Sequence, residues 1–269
     1  MLKLYTFNIS HFSEKARWAF DYEGISYEER VLLPGPHQLV TRRIARRTHV
    51  PVLEHDGQYV QGSSAIIDYV ADRLGGTKLT AIDPTERAKA LELENTLDQV
   101  FGRGVQQVLY SAFLKDRRTV IDLWSFGGPF WASGFYAVAF PAVASAVKRM
   151  YKTTDVEGVA KAKQRFVTTF DELDAVLANQ PYLGGDAPNR TDITLAALLA
   201  PVCRVPEHRM KWPATPSELA DLEASLSGRS TWNHVLRMYR DHRKPNSMLG
   251  GTVRSLPRDM HTKYVVVVG

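Results

Sequence analysis

Ser10 stands where strand-like text turns helical, and a hydroxyl at such a point can do chemistry. The run Leu2-Lys3-Leu4-Tyr5-Thr6-Phe7 alternates, and then Phe12, Ala16, Ala19 and Phe20 recur at helical spacing until Gly24. A helix is predicted to start near Ser10, whose oxygen can accept from the free N–H groups of the first turn. That helix end carries partial positive charge and unpaired donors, which suit a thiolate or a carboxylate. A serine that only caps the helix is the plainer reading. Ser13 can serve as the cap or as a second hydroxyl. Farther on, Ser63 opens another helix-like run, Ser63-Ser64-Ala65-Ile66-Ile67. The basic run Arg42-Arg43-Ile44-Ala45-Arg46-Arg47 reads first as a solvated helix face and next as a site for a small acidic ligand. No aromatic-rich RNA signature or recognition helix accompanies it, so nucleic acid is not expected. The single cysteine, Cys203, excludes an internal disulfide and a CxxC redox pair. The eight histidines show no HxxxH spacing, and no metal site is expected.

Several elements must position these residues. Tyr27 to Leu33 reads as a second strand, closed by Pro34-Gly35-Pro36. His49-Val50-Pro51-Val52-Leu53 and Tyr59-Val60 flank Asp56-Gly57, which predicts a hairpin. Pro51 cannot donate to a ladder, so it belongs at a strand end, and a cis Val50-Pro51 bond would suit a tight approach there. The order is βαβ, a connecting segment, then ββα, within eighty residues. Gly75 to Thr85 is a linker by composition, and Asp83 with Pro84 signals a helix start. Glu86 to Leu114 reads as one helix, and Gly102-Arg103-Gly104 inside it is not a dinucleotide loop, which would follow a strand. Leu123 to Val147 carries no charged residue. Gly127, Gly128, Pro129, Gly134 and Pro141 interrupt it, so it is expected to be buried or to line a pocket. An interfacial or partner surface is the alternative, and a bilayer span is not expected. Glu157 to Ala178 is amphipathic, and Asn189 with Asp192 has the spacing of a capping box.

A strand, Ser10-x-x-Ser13-Glu14-Lys15-x-Arg17-Trp18, Val50-Pro51-Val52-Leu53, Asp56-Gly57 and Ser63-x-Ala65-Ile66, in that order, resembles the thioredoxin-like half of a glutathione transferase. Tyr182-Leu183-Gly184-Gly185-Asp186 and Thr191-Asp192-Ile193 resemble the buried helix of that family's all-helical second half. The resemblance implies an α/β thioredoxin-like N-terminal domain followed by an all-α bundle. The expected division is 1–76 for glutathione binding, a 77–85 linker, 86–245 for the helical domain with the insert 123–147, and a 246–269 tail. It also implies that glutathione is the co-substrate and a small electrophile its partner in reaction. Ser10 would meet the sulfur, with Tyr5 as a second candidate. The backbone beside Pro51, carried onto Val52, would bind the cysteinyl part, and Ser63 the γ-glutamyl carboxylate. Ser13, Val50 and Gly62 are further expected ligand positions. Gly62 departs from the family's Glu or Gln at that place, so the ligand's amine loses a partner. The glycyl carboxylate is left among His49, Arg46, Arg47 and His37. His11 is expected at the surface.

The N-terminus shows no basic-then-apolar signal region, which leads us to expect a cytoplasmic protein. The family implies a homodimer. A glutathione-dependent isomerase or dehalogenase is a variant of the same reading, and a non-catalytic binding protein on this fold is the alternative. The 264–268 run, Tyr and four Val, could pair as a strand or fray.

Overall fold

In a computed structural model of the chain, residues 1–244 are described. Pro245, the 246–269 tail and the 264–268 run lie outside them.

The first strand, β1 (Leu2–Thr6), turns Leu4 and Thr6 inward, and α1 (His11–Glu23) follows after one turn. Gly24 ends α1 in the left-handed region, at φ 74, where an L side chain would be strained. β2 (Glu28–Val31) lies parallel to β1, with Lys3 opposite Glu28. The arginine run is split: Arg42 and Arg43 lie on α2 (Gln38–Ile44), Arg46 and Arg47 in the loop after it, and all four are exposed. Arg42 and Arg43 thus stand on the solvated helix face that the charge pattern predicts, whereas Arg46 and Arg47 lie beyond the helix. β3 (Val52–His55) and β4 (Gln58–Gln61) form the hairpin. Asp56 and Gly57 between them have φ 48 and 81, the sign a two-residue hairpin turn needs. The sheet order is β2-β1-β3-β4, with β3 antiparallel to β1. α1 and α3 (Ser63–Leu74) cover one face, where Ala16, Phe20, Ile66 and Val70 meet Leu4 and Leu53. This is the thioredoxin-like arrangement, and every remaining element of the described residues is helical.

The long helix expected over Glu86 to Leu114 is not continuous. It divides into α4 (Pro84–Leu97), a π-helical turn at Asp98–Gly102, and α5 (Arg103–Phe113). Glycine is needed there for close approach. A Cβ on Gly102 would stand 2.5 Å from Phe12 Cζ, and one on Gly104 would stand 2.8 Å from Phe166. So Gly102-Arg103-Gly104 is a packing feature that lets α1 and α8 (Val156–Leu177) press against the turn.

The uncharged stretch breaks once, not at each glycine and proline. α6 (Arg117–Ser125) ends before a turn, and α7 (Ala132–Tyr151) runs through both Gly134 and Pro141. Proline at 141 has no N–H for the carbonyl of Ala137, one helical turn back. The Arg117 guanidinium donates to that carbonyl and lies over the Phe140 ring, 5.6 Å from its centroid. A side chain from α6 thus satisfies the group that proline orphans. No helix among the described residues is long and apolar enough to cross a membrane.

α9 (Arg190–Cys203) is the buried centre and packs against α1, α4 and α11 (Ser230–His242). Its capping box forms as the spacing predicts: Asn189 accepts from Thr191 N–H at 2.7 Å, and Asp192 accepts from Asn189 N–H at 3.0 Å. Between α9 and α11, residues 217–219 make a single 3-10 turn that leads into α10 (Ala220–Leu226).

Candidate active site

A cavity of about 1140 Å³ lies between the thioredoxin-like half and the helices. Ser10 lines it. Its backbone is extended (φ −83, ψ 117), and its Oγ accepts from Ser13 N–H at 3.1 Å, so it does cap α1. Capping uses an oxygen lone pair and leaves the hydroxyl proton without an acceptor among the described residues. The hydroxyl thus keeps its proton to donate to a group in the cavity that Ser10 lines. The N–H groups of His11 and Phe12 also have no partner among the described residues, so the positive end of α1 is open.

Two more elements complete the floor. The Val50-Pro51 bond is cis. Val50 lines the cavity, and its N–H and C=O make no hydrogen bond to the described residues. Val52 is different: it is a fully buried rung of the sheet, opposite Tyr5 on one side and Gln61 on the other. The free backbone beside the proline thus belongs to Val50, which corrects the expectation for Val52. Gly62 donates to the Pro51 carbonyl at 3.0 Å and takes φ 102, ψ 140 before α3 begins. The next three N–H groups, of Ser63, Ser64 and Ala65, are unpaired among the described residues, and all three residues line the cavity. Such an N-terminus is a ready carboxylate site. A side chain at Gly62 would meet no atom within 4 Å but would be strained at that φ. Restoring an acid at 62 is therefore no clean way to add a partner for an amine.

Other expected residues are placed elsewhere. Ser13 is fully buried and does not line the cavity; its Oγ accepts from Phe7 N–H at 3.2 Å, which fixes the strand-to-helix turn. The Tyr5 hydroxyl donates to Glu54 at 2.6 Å away from the cavity, and burial together with that carboxylate raises its pKa. Tyr5 is thereby removed as a sulfur ligand. Arg46 lies in a neighbouring dent, whereas His37, Arg47 and His49 line the main cavity. Gln61 holds the Arg47–His49 segment by accepting from Arg47 N–H and donating to the carbonyls of Arg47 and His49. Burial pushes His37 down to about 4, and His49 is also lowered, first by burial and then by Arg47 and Arg103. Arg47 and Arg103 are thus the cations at this end.

His11 is buried, not at the surface. Its Nε2 donates to the Gly102 carbonyl at 2.8 Å, tying α1 to the π-helical turn. Glu14, Lys15 and Arg17 are buried too, although each is charged. Lys15 meets Glu94 at 2.7 Å and Asp98 at 2.8 Å; Glu14 meets Arg243 at 2.8 Å; Arg17 meets Glu29.

The helical half supplies residues that motif reading missed. Asp98, in the π-helical turn, lines the cavity beside Ser64, whose hydroxyl donates to it at 2.9 Å. It places a carboxylate near the α3 N-terminus, where Gly62 offers none. Opposite the floor, Tyr110, Phe113, Trp124, Val143 and Val147 form an apolar wall. Trp124 Nε1 donates to the Tyr110 hydroxyl at 3.0 Å, and Tyr110 stacks on Tyr151 at 5.7 Å. Only the two ends of the uncharged stretch line the pocket, through Leu123, Trp124, Val143, Ala146 and Val147, and most of its middle, from Phe130 to Ala142, is exposed. Tyr110 falls within the helix predicted over Glu86 to Leu114, but the face it presents depends on the fold.

Burial also makes stability depend on pH. His11, His37 and His208 are each pushed by burial to about 4, below the ordinary value of about 6.5. Between those values the unfolded chain binds protons that the folded chain refuses, so stability should fall as pH drops from about 6.5 toward 4. Burial alone would raise Glu14, Glu29 and Glu94, but it is outweighed by Arg243 at Glu14, Arg17 at Glu29 and Lys15 at Glu94. Their pKa values are lowered, so their stabilisation is present above about 4.5 and is lost as pH falls through the folded values. Urea midpoints measured from pH about 7 to about 4 should decline throughout that range. A flat profile down to about pH 5 would show that the histidines are not buried neutral.

Comparison with known proteins agrees with this geometry. Residues 4–78 match the glutathione S-transferase N-terminal domain family. A glutathione S-transferase of Pseudomonas putida is 33% identical over 93 residues, which is 35% of this chain and 42% of that protein. The aligned part thus spans less than half of the relative. Among solved structures, β-etherase LigF from Sphingobium sp. strain SYK-6 has a TM-score of 0.59 at 21% identity, covering 88% of this chain and 98% of that one. A glutathione S-transferase of Ceriporiopsis subvermispora, solved in complex with glutathione, has a TM-score of 0.59 at 16% identity, covering 90% and 98%. At these identities the structural likeness speaks for the fold.

Proposed function

We propose that this chain, which belongs to the glutathione transferase family through its N-terminal domain, binds glutathione in the cavity floor and transfers it to a small electrophile held against the apolar wall. The observation that carries the proposal is the convergence in one cavity of the Ser10 hydroxyl, the unpaired backbone of Val50 and the open N-terminus at Ser63. In this reading Val50 grips the cysteinyl backbone, and the Ser63 turn takes the γ-glutamyl carboxylate. Asp98 faces the γ-glutamyl amine in place of a side chain at 62, and Arg47 takes the glycyl carboxylate with His49 beside it. Ser10 donates to the sulfur, and with the α1 dipole it favours the thiolate. The thiolate attacks the electrophilic carbon, a C–S bond forms, and the leaving group departs with the bonding electrons. No cysteine stands at 10, which speaks against a route through a mixed disulfide. We further propose residues 1–76 as the glutathione-binding unit and 86–245 as the acceptor unit, in a cytoplasmic homodimer.

The test is retention of the purified protein on glutathione resin together with turnover of a general aromatic electrophile. Retention with turnover is expected. Retention without turnover would assign the fold to a non-catalytic binder, and no retention would overturn glutathione as the ligand.

A further inference from the structure

The hairpin that walls the cavity has an outer side that the reaction does not use. Trp131, Phe135, Val138, Ala142, Ser145 and Arg149 recur at steps of three and four on α7, and all are exposed. Phe130, at the tip of the α6–α7 turn, is 91% exposed, and Val138 is 84% exposed. The apolar part of this outer side, Phe130, Trp131, Phe135 and Val138, is left open at the turn and over the first two turns of the helix, and Ala142 and Ser145 carry the exposed face on to Arg149.

The charges on the hairpin are mainly basic, and Asp122 on α6 is the one acid between Arg117 and Thr154. From Leu123 to Thr154 there is no acidic residue, and the three charged residues are Lys148, Arg149 and Lys152. These three and Arg118, at the start of α6, are exposed and make no ion pair among the described residues. Arg117 is not among them, since it serves the Ala137 carbonyl. An aromatic and aliphatic stripe with a basic end suits a helix lying in the interface of an anionic bilayer: rings enter the acyl boundary and cations meet headgroups. A second copy of the chain fits less well. Across a twofold each residue off the axis meets a different residue, and the facing hairpin offers Lys148, Arg149 and Lys152 a single acid, Asp122.

We propose that the α6–α7 hairpin is a peripheral membrane-docking surface for anionic lipid, with Phe130 and the Trp131–Val138 stripe as the buried part and Lys148, Arg149 and Lys152 at the headgroups. The inner side of the same hairpin carries Trp124 and Val143, so docking would bring the acceptor wall of the cavity to the bilayer.

Sedimentation of the full chain with vesicles tests this. Vesicles of equal phosphatidylglycerol and phosphatidylcholine should bind the protein, and pure phosphatidylcholine vesicles much less. Phe130→Glu and Val138→Glu each add a charge at a highly exposed position, and each should weaken binding by about tenfold or more. Lys148→Glu with Arg149→Glu should abolish the preference for phosphatidylglycerol. Circular dichroism confirms that each variant is folded. Failure of the parent protein to sediment with either vesicle overturns the proposal. So does binding that survives Phe130→Glu, which would assign it to another part of the chain. A parent dimer that Phe130→Glu converts to a monomer also overturns it and gives the face to a second copy.

Discussion

Ser10→Ala should raise the pKa of bound glutathione by about 1–2 units, because the variant loses a hydrogen bond to a charged sulfur that contributes about 1.5–3 kcal/mol. Each unit lowers the thiolate fraction by at most about tenfold, so near neutral pH turnover should fall by about threefold to thirtyfold. Affinity should change less, since the Val50 backbone and the Ser63 turn remain. The same change removes the acceptor for Ser13 N–H, so stability should also drop by about 1 kcal/mol. The two effects are separable. Thiolate absorbance titrated in saturating glutathione reads the first, and urea unfolding without ligand reads the second. Ser13→Ala is the control: it loses the bond to Phe7 N–H inside the fold and should cost stability with no shift of the titration. An unshifted titration for Ser10→Ala, in a folded protein, would remove Ser10 from the chemistry and leave it a cap.

Glu94→Leu should be among the most destabilising single changes in the helical half. Glu94 is 2% exposed and sits between Lys15, at 2.7 Å, and Arg190, at 2.5 Å, both of them fully buried. Removing one partner from a buried ion pair costs about 3–5 kcal/mol, because the charge left behind stays out of water. Lys15 keeps Asp98 and Arg190 keeps Asp68, which holds the loss toward the lower figure. Glu94→Gln keeps the shape and removes the charge, so it isolates the electrostatic part. Urea unfolding that shows a loss below about 1 kcal/mol for both variants would mean that water or rearrangement already relieves the two cations. Either outcome bears on function, since Lys15 joins this cluster to Asp98 at the cavity.

Features whose hydrogen bonds close within a few residues can be read from the order of residues alone. Ser10 and Asn189 cap their helices, Asp56-Gly57 turns the hairpin, and Gly24 ends α1, because each needs only its own backbone and its near neighbours. The resemblance carried by those same stretches led to the thioredoxin-like half and the helical half behind it. Other features depend on partners far apart in the chain. Arg243 reaches Glu14 across 229 positions, and Arg190 reaches Glu94 across 96. Nothing in a local window tells that Glu14, Lys15 and Arg17 are buried, since their cost in low dielectric is offset only by distant charges. His11 reads as a surface residue until the Gly102 carbonyl is brought to it. Val50 and Val52 flank the same proline, and only the sheet decides which of them has a backbone to spare. Pro141 looks like a break in an uncharged segment until α6 folds back and Arg117 takes up the carbonyl that the proline leaves unpaired. In each case a buried polar group must be satisfied, and folding chooses the partner.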